Sequence, residues 1–391
     1  MTAEIIIMNK NALAMAADSV VTITNGNDEK TYQTANKLFP ISYEHEIGIM
    51  TYGSAEFMGV PWETLIKLYR ERIEKIKFET LKECIDNFIH FLENSGLFSV
   101  NLQNEMTFDD LTYFHMSIRN KIQNILKMEN EKANKKTKER EAINVSEIAF
   151  FTFQKMIEEM KSMKQIQSET DFLMTNKIEI ETMMEKIYEE TYESNQHLLN
   201  ELNELYFKKL WNNSSGIVIS GFGERDIFPS TYLMEIDKIT SGRLIYCLEK
   251  YEVDNNNAFV IPFAQREMVD LFMRGISPIL LYKIEEIIKN IDEDLAVFVL
   301  EEFIKYLEIN HSKPIMEAIK ILPKPELAIV AEMLISLTSF KRKISTELET
   351  VGGPIDVAVI SKGDGFVWIK RKQYFDQELN IPFISKYFKN K

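Results

Sequence analysis

The feature that most constrains the fold is a long internal segment without glycine or proline. Residues 108 to 210 contain neither, and they are rich in Glu, Lys, Met and Leu. Glycine and proline are the residues that most often interrupt helices, whereas the abundant types here favour them. The segment therefore predicts several long helices. Because β-type sequence precedes and follows it, the chain predicts an all-helical insertion in a sheet-containing core.

The first sixty residues favour β-structure. A β-branched run at 5 to 7 and an apolar run at 12 to 17 are separated by Asn9, Lys10 and Asn11, which are typical of a tight turn. Further strands are predicted at 37 to 39 and 47 to 50. Residues 22 to 33 are predicted as a loop, since they contain the turn sequence Asn-Gly-Asn-Asp.

The remaining segments alternate between helix and strand. Apolar residues recur at helical spacing at 62 to 73 and 81 to 92, whereas 217 to 221, 231 to 237 and 244 to 248 predict strands. Helices are expected from about 263 to 347, interrupted at Pro278, Pro314, Pro323 and Pro325. A final hairpin is expected at 354 to 370. This order predicts an α+β fold with two sheets between helical layers.

We divide the sequence into three parts on these patterns. Residues 1 to 60 and 213 to 391 form the predicted core, residues 61 to 100 the core helices, and residues 101 to 212 the helical insertion. By length alone, a chain of 391 residues suggests two to three domains.

Composition excludes several classes of function. A net charge of −14 argues against nucleic-acid binding, and the one basic stretch, at 132 to 140, is interrupted by acids and predicts a solvated helix or loop. Apolar runs are too short for a membrane span, and the N-terminus lacks the layout of a signal peptide, so a cytoplasmic protein is expected. The two cysteines and scattered histidines match no metal-binding spacing, and no cofactor is predicted.

The N-terminus offers a candidate nucleophile. Removal of Met1 would leave Thr2 with a hydroxyl and a free α-amine, which supply a nucleophile and its base on one residue. An unperturbed α-amine titrates near pH ~8, close enough to neutrality to accept a proton. Asp18 and Lys37 follow at distances that suggest a catalytic N-terminus.

Three short motifs in this region carry a resemblance to a known family. Ala-Ala-Asp-Ser at 16 to 19, Asn-Lys at 36 to 37, and Tyr-Gly-Ser-Ala-Glu at 52 to 56 look like the start of proteasome β-subunits and of the bacterial HslV peptidase. Both are N-terminal nucleophile hydrolases. Thr-Val-Gly-Gly at 350 to 353 and the strands after it resemble the end of the same fold. The helical insertion lies outside the resemblance.

The resemblance implies a four-layer αββα sandwich and a threonine peptidase. Thr2 would be the nucleophile, Lys37 would favour its deprotonation, and Asp18 would hold Lys37. The oxyanion would be bound by the backbone at Tyr52 and Gly53, where family members usually have glycine at the first position. The resemblance further implies a polypeptide substrate, a homo-oligomeric ring and an ATP-dependent unfoldase partner.

Departures from the family pattern keep alternatives open. The segment at 258 to 265 lacks the serine that binds the catalytic amine in the family, and 348 to 352 lacks the usual Asp-x-x-Ser, for which Glu349 or Thr350 are candidate substitutes. Asp18 alone would suggest an Asx-turn, and Lys10 and Lys30 compete with Lys37. The alternative functions are a small-amide hydrolase and a catalytically silent scaffold that binds partners through the insertion.

Overall fold

The computed structural model describes residues 2–25, 28–135, 144–210, 215–345, 351–373, 375–376, 378–382 and 385. The chain divides into two compact units. The sheet unit comprises Met1–Asp86, Ser215–Leu233 and Glu249–Lys391, and the helical unit comprises Asn87–Ser214 and Met234–Leu248. The domain boundaries expected from the sequence stay a prediction beside this division.

The strands are short and the helices range from one turn to ten. The strands are β1 Ala3–Asn9, β2 Ala12–Ala17, β3 Val21–Asn25, β4 Asp28–Tyr32, β5 Leu38–Pro40, β6 Ile47–Gly53, β7 Glu56–Phe57, β8 Val60–Pro61, β9 Ser215–Gly221, β10 Ser230–Thr240, β11 Arg243–Glu252, β12 Phe259–Ala264, β13 Asp356–Ser361 and β14 Gly365–Lys370. The α-helices are α1 Trp62–Ile73, α2 Leu81–Asn94, α3 Val100–Lys135, α4 Val145–Lys161, α5 Phe172–Thr175, α6 Lys177–Tyr188, α7 Tyr192–Tyr206, α8 Glu267–Arg274, α9 Pro278–Lys289, α10 Glu293–Leu307, α11 Lys313–Ile321 and α12 Lys324–Ile344. The π-helix Glu308–Ser312 joins α10 to α11.

Two five-stranded sheets form the framework. The first has the strand order β12-β1-β2-β13-β14, and the second has the order β11-β10-β9-β6-β5. In the first sheet, β1 pairs antiparallel with both β2 and β12, so the N-terminal strand lies inside the sheet rather than at its edge. Every residue of β1 and β2 is buried. The start of the chain is therefore held on both sides by backbone hydrogen bonds.

The two faces of the first sheet have different neighbours. Ile5 and Ile7 pack with Leu334 of α12, while Ile6 and Met8 pack with residues of the second sheet. Side chains alternate between faces along a strand, so the apolar run of β1 supplies both cores. Each buried side chain of this kind contributes roughly 1.5–3 kcal/mol through removal from water.

The outer face of the second sheet carries α1. Trp62 Nε1 donates a hydrogen bond to Ser215 Oγ (3.1 Å), and Ser215 lies on the opposite face of β9 from Val218, which packs toward the first sheet. The layers of the sheet unit thus follow the order helix, sheet, sheet, helix. The predicted α+β class and its layer order are confirmed.

The helical unit confirms that the segment without glycine or proline is helical. Helix α3 alone extends over 36 residues. Apolar side chains of α3, α4, α6 and α7 form one buried cluster, which includes Phe114, Phe153, Met184 and Leu199. The basic stretch at 132 to 140 begins in the last turn of α3, and its positions 136 to 140 lie outside the described residues.

Three details of the sequence prediction are wrong. Residues 22 to 33, expected as a loop, contain the antiparallel pair β3 and β4, because the β-branched residues at 21 to 24 favour a strand, which pairs with 28 to 32. Residues 263 and 264 belong to strand β12 rather than to a helix. Pro314 does not interrupt a helix, since the helical backbone continues from α10 through the π-helix into α11, and Pro314 lies in the turn that directly follows the π-helix.

Candidate active site

The carboxylate of Asp18 organises the N-terminal site. Asp18 directly follows β2 and is 1% exposed. Its Oδ1 accepts hydrogen bonds from Lys37 Nζ (2.6 Å) and Ala3 N (3.1 Å), and its Oδ2 accepts from Gly352 N (3.0 Å) and Val20 N (3.3 Å). Four donors therefore surround this buried carboxylate and satisfy both of its oxygens. The bond to Val20 N is an Asx-turn, so this alternative and the contact with Lys37 are both present.

Lys37 is buried and faces Asp18. Its side chain is 7% exposed and that of Asp18 is 0% exposed, so the two charges form an ion pair away from solvent. Lys37 precedes β5, and its carbonyl accepts a hydrogen bond from Thr51 N (3.0 Å). The competing lysines Lys10 and Lys30 are both exposed. The structure thus brings Lys37, and neither competitor, to Asp18.

Thr2 lies beside this ion pair. It is 7% exposed, its neighbour Ala3 donates to Asp18, and its own carbonyl accepts a hydrogen bond from Gln265 N (3.0 Å). Ala264 adopts a left-handed φ of 59°, an uncommon conformation for a residue with a side chain. The chain that ends β12 therefore turns sharply where it holds Thr2. Met1 lies outside the described residues.

Tyr52 and Gly53 are the last two residues of β6 rather than a turn after it. They lie opposite Gly216 and Ser215 of β9, and the Tyr52 ring stacks on Phe263 with centroids 5.9 Å apart. Gly53 has a φ of 83°, which a residue with a side chain rarely adopts, so the strand ends there. The backbone of Thr51 connects this end of β6 to Lys37. The role of Tyr52 and Gly53 in binding an oxyanion stays a prediction.

The glycine pair at 352 and 353 closes the site from the C-terminal side. Gly352 donates to Asp18, and its carbonyl accepts from Ser19 N (3.2 Å). Gly353 has a φ of 71°, and a side chain there would come within 3.1 Å of Gln33. Glycine is therefore needed for this close approach. Glu349 and Thr350 lie outside the described residues.

Sequence reasoning missed one residue of this region, Glu4. It is 1% exposed in strand β1, and neither carboxylate oxygen has a hydrogen-bond partner. Burial raises its pKa well above the ordinary range, an effect opposed by Lys37 and reinforced by Asp18. A glutamate inside an otherwise apolar strand at 3 to 8 was the signal that could have identified it, because glutamate is depleted in strands and rarely buried.

Other nucleophile or metal chemistry has little support in the described residues. Burial raises the pKa of the Cys84 thiol to about 12, which leaves it protonated and unreactive at neutral pH. Cys247 is also buried. Among the described positions, no group of three or more His, Cys, Asp or Glu side chains could hold a metal ion. Nor does a helix within the described ranges have the length and apolarity required to cross a membrane.

The fold and site define an α+β sandwich with a buried Asp–Lys pair next to residue 2. No family model and no curated protein matches the chain. Solved structures match it weakly. The Anbu complex of Pseudomonas aeruginosa, described as a helical assembly, has 8% identity and a TM-score of 0.36, covering 99% of this chain and 94% of that one. An Anbu (Gly-1) mutant from Hyphomicrobium sp. strain MC1 has 9% identity and a TM-score of 0.30, covering 100% and 96%.

These comparisons correct the resemblance drawn from the sequence. The identification as a proteasome β-subunit or HslV-like peptidase is wrong, since the structures named above are Anbu complexes and no family model matches. The motifs that carried it are short, and each is explained by a local structural requirement. These requirements are small residues in a buried strand, a carboxylate at its end and glycines at tight turns. Such needs recur in many proteins. Function therefore has to be argued from the site itself.

Proposed function

We propose that this protein is an N-terminal threonine hydrolase that cleaves peptide bonds with Thr2 after removal of Met1. The observation that carries the proposal is the buried ion pair of Asp18 and Lys37, joined through Ala3 N to the backbone next to Thr2. A buried ion pair costs desolvation free energy, so its position beside a potential nucleophile supports a chemical role.

The proposed reaction uses groups on one residue for attack and proton transfer. The Thr2 hydroxyl oxygen attacks the peptide carbonyl while its proton passes to the α-amine, giving a tetrahedral oxyanion. Collapse to an ester releases the amine product, which takes up that proton. Water then hydrolyses the ester and regenerates Thr2. Lys37 favours the developing alkoxide electrostatically, and the backbone at Tyr52 and Gly53 is the proposed oxyanion site.

Covalent labelling tests this proposal. Intact-mass measurement first establishes whether Met1 is removed. Incubation with a β-lactone acylating reagent should then add one reagent mass to the wild-type protein and none to Thr2→Ala. Lys37→Met should also lose labelling, whereas Lys10→Met, which alters an exposed lysine of the same region, should label like wild type. Equal labelling of Thr2→Ala would sink the proposal and favour the silent scaffold.

Substrate size and assembly complete the proposal. A polypeptide substrate is proposed over a small amide, and hydrolysis of a denatured protein compared with that of short amides separates the two. Self-association into a homo-oligomer is likewise proposed. Native mass spectrometry should show multiples of the chain mass, and a single-chain mass at micromolar concentration would contradict it. An ATP-dependent unfoldase partner stays a prediction of the sequence.

A further inference from the structure

The unpaired carboxyl of Glu4 has no structural explanation within the strand. Among the described residues, buried side-chain atoms without a hydrogen-bond partner occur only in Glu4, Ser168 and Ser220, and Glu4 is the one ionisable group of the three. A buried polar group without a partner costs about 1–3 kcal/mol, and a charged one costs more. Such groups are few in native proteins, and a catalytic role is one of the known reasons for keeping one.

The surroundings of Glu4 leave little to satisfy it. The residues opposite Glu4 in the two adjacent strands are Ala17 of β2 and Phe263 of β12, and neither has a polar side chain. The charged groups that act on it are Lys37 and Asp18, and Lys37 is already bound to Asp18 at 2.6 Å. The carboxyl therefore lies next to an ion pair that is complete without it.

The position of Glu4 relative to Thr2 suggests its partner. Alternate residues of an extended chain face the same side and lie about 6.6 Å apart along it. Thr2 and Glu4 are alternate residues. The carbonyl of Thr2 accepts a hydrogen bond from the backbone N–H of Gln265, the residue that follows β12. Removal of Met1 creates a new donor, the α-amine of Thr2, at the start of this extended segment. A glutamate side chain can reach across this spacing.

We infer that the Glu4 carboxyl accepts a hydrogen bond from the α-amine of Thr2 once Thr2 is the first residue of the chain. The inference rests on the proposed function. Glu4 is then a positioning residue. Its bond to one N–H directs the nitrogen lone pair toward the Thr2 hydroxyl.

Charge as well as orientation follows from this contact. When the amine takes the hydroxyl proton, it becomes an ammonium, and an adjacent carboxylate stabilises that charge in the transition state. The same carboxylate favours the ammonium before reaction and raises the pKa of the amine. Lys37 and Asp18 already pair with each other, so it is the contact with the amine that would favour the charged form of Glu4 against the effect of burial.

The pKa of the Thr2 amine can be measured independently of catalysis. Protein labelled with ¹³C-threonine, its Met1 removal verified by mass, is titrated by NMR, and the Thr2 Cα resonance is assigned by its absence from Thr2→Ser. The midpoint should lie above the usual α-amine value of about 8 and fall by about one pH unit in Glu4→Gln. Glu4→Met, which needs no hydrogen bond, should give the same shift. Glu74→Gln, an exposed carboxyl after α1, should leave the midpoint unchanged.

The outcomes separate this inference from the proposed function. An unchanged midpoint in both Glu4 variants, or retention of Met1, overturns the inference. Labelling of the wild type by the β-lactone together with an unchanged midpoint overturns the inference alone. A shifted midpoint in a protein that the β-lactone never labels leaves the inference standing and overturns the hydrolase proposal. Where both hold, the labelling rate of Glu4→Gln should fall by up to about tenfold at a pH above both midpoints, where the amine is already free in each protein and only the stabilisation of the developing ammonium is lost.

Discussion

Two of the regions in which this protein buries polar side chains differ in how completely these groups are paired. In the helical unit, His115 is fully buried, with Nε2 at 2.8 Å from Asn203 Oδ1 and Nδ1 at 3.0 Å from the Tyr188 hydroxyl. The side-chain nitrogen of Asn203, Nδ2, donates to Met184 Sδ (3.1 Å). In the N-terminal site, Asp18 is equally well satisfied, whereas Glu4 beside it has no partner.

The difference separates structural polar groups from a candidate functional one. A network whose members satisfy one another needs no ligand and fixes the packing of α3, α6 and α7. A buried carboxyl without a partner destabilises the folded protein. This cost is removed only when another group binds the carboxyl. The same reasoning predicts opposite responses to mutation and to acid in the two regions.

The largest effect is expected from Asp18→Asn. This change leaves the Lys37 ammonium buried without a counter-charge, which typically costs about 3–5 kcal/mol. We expect a loss of about 4 kcal/mol in the free energy of unfolding, measured by urea denaturation, and loss of β-lactone labelling. A cost below about 1 kcal/mol would mean that the pair is not buried in solution.

The double variant Asp18→Asn with Lys37→Met separates stability from chemistry. Removing both charges leaves no unpaired ion, so most of the lost stability should return. Labelling should stay absent, because neither the lysine nor the carboxylate is restored. Recovery of labelling together with stability would show that the ion pair is structural only.

The second effect concerns acid and the helical unit. Burial lowers the pKa of His115 from 6.5 to about 4. Between these values the unfolded chain binds a proton that the folded chain does not, so stability falls as pH decreases from 6.5 to about 4. The loss should reach about 3 kcal/mol near pH 4. Urea denaturation at pH 7, 5.5 and 4.5 measures it, and His115→Gln should lack this part of the pH dependence.

Sequence predicted the framework better than it predicted the site. A β-branched run, turn residues and an apolar run identified β1 and β2, and the absence of glycine and proline identified the helical segment, since these signals are local. The pairing of Asp18 with Lys37 was expected, although only the fold distinguishes Lys37 from the exposed Lys10. Local sequence alone could not single out Glu4 as a site residue, because its burial depends on β12, which pairs with β1 from more than 250 positions away in the chain.

The smallest effect tests Glu4 from the side of stability. The raised pKa of Glu4 means that the folded chain keeps a proton which the unfolded chain loses above about 4.5, so the penalty grows as pH rises through that range and disappears below it. Glu4→Met removes the penalty and should stabilise the protein by about 1–2 kcal/mol at pH 8. The contribution of Glu4 to stability therefore becomes less favourable as pH rises, whereas that of His115 becomes less favourable as pH falls.

The size of that stabilisation depends on the state of the N-terminus. In a form extended before Thr2, the α-amine is blocked and Glu4 stays unpaired, so Glu4→Met should give the full increase. In the processed form the amine partly satisfies the carboxyl, and the increase should be at most half as large. Urea denaturation of wild type and Glu4→Met, each in the extended and the processed form, gives four free energies of unfolding that form a double-mutant cycle. Equal stabilisation of both forms would mean that the amine and Glu4 do not interact.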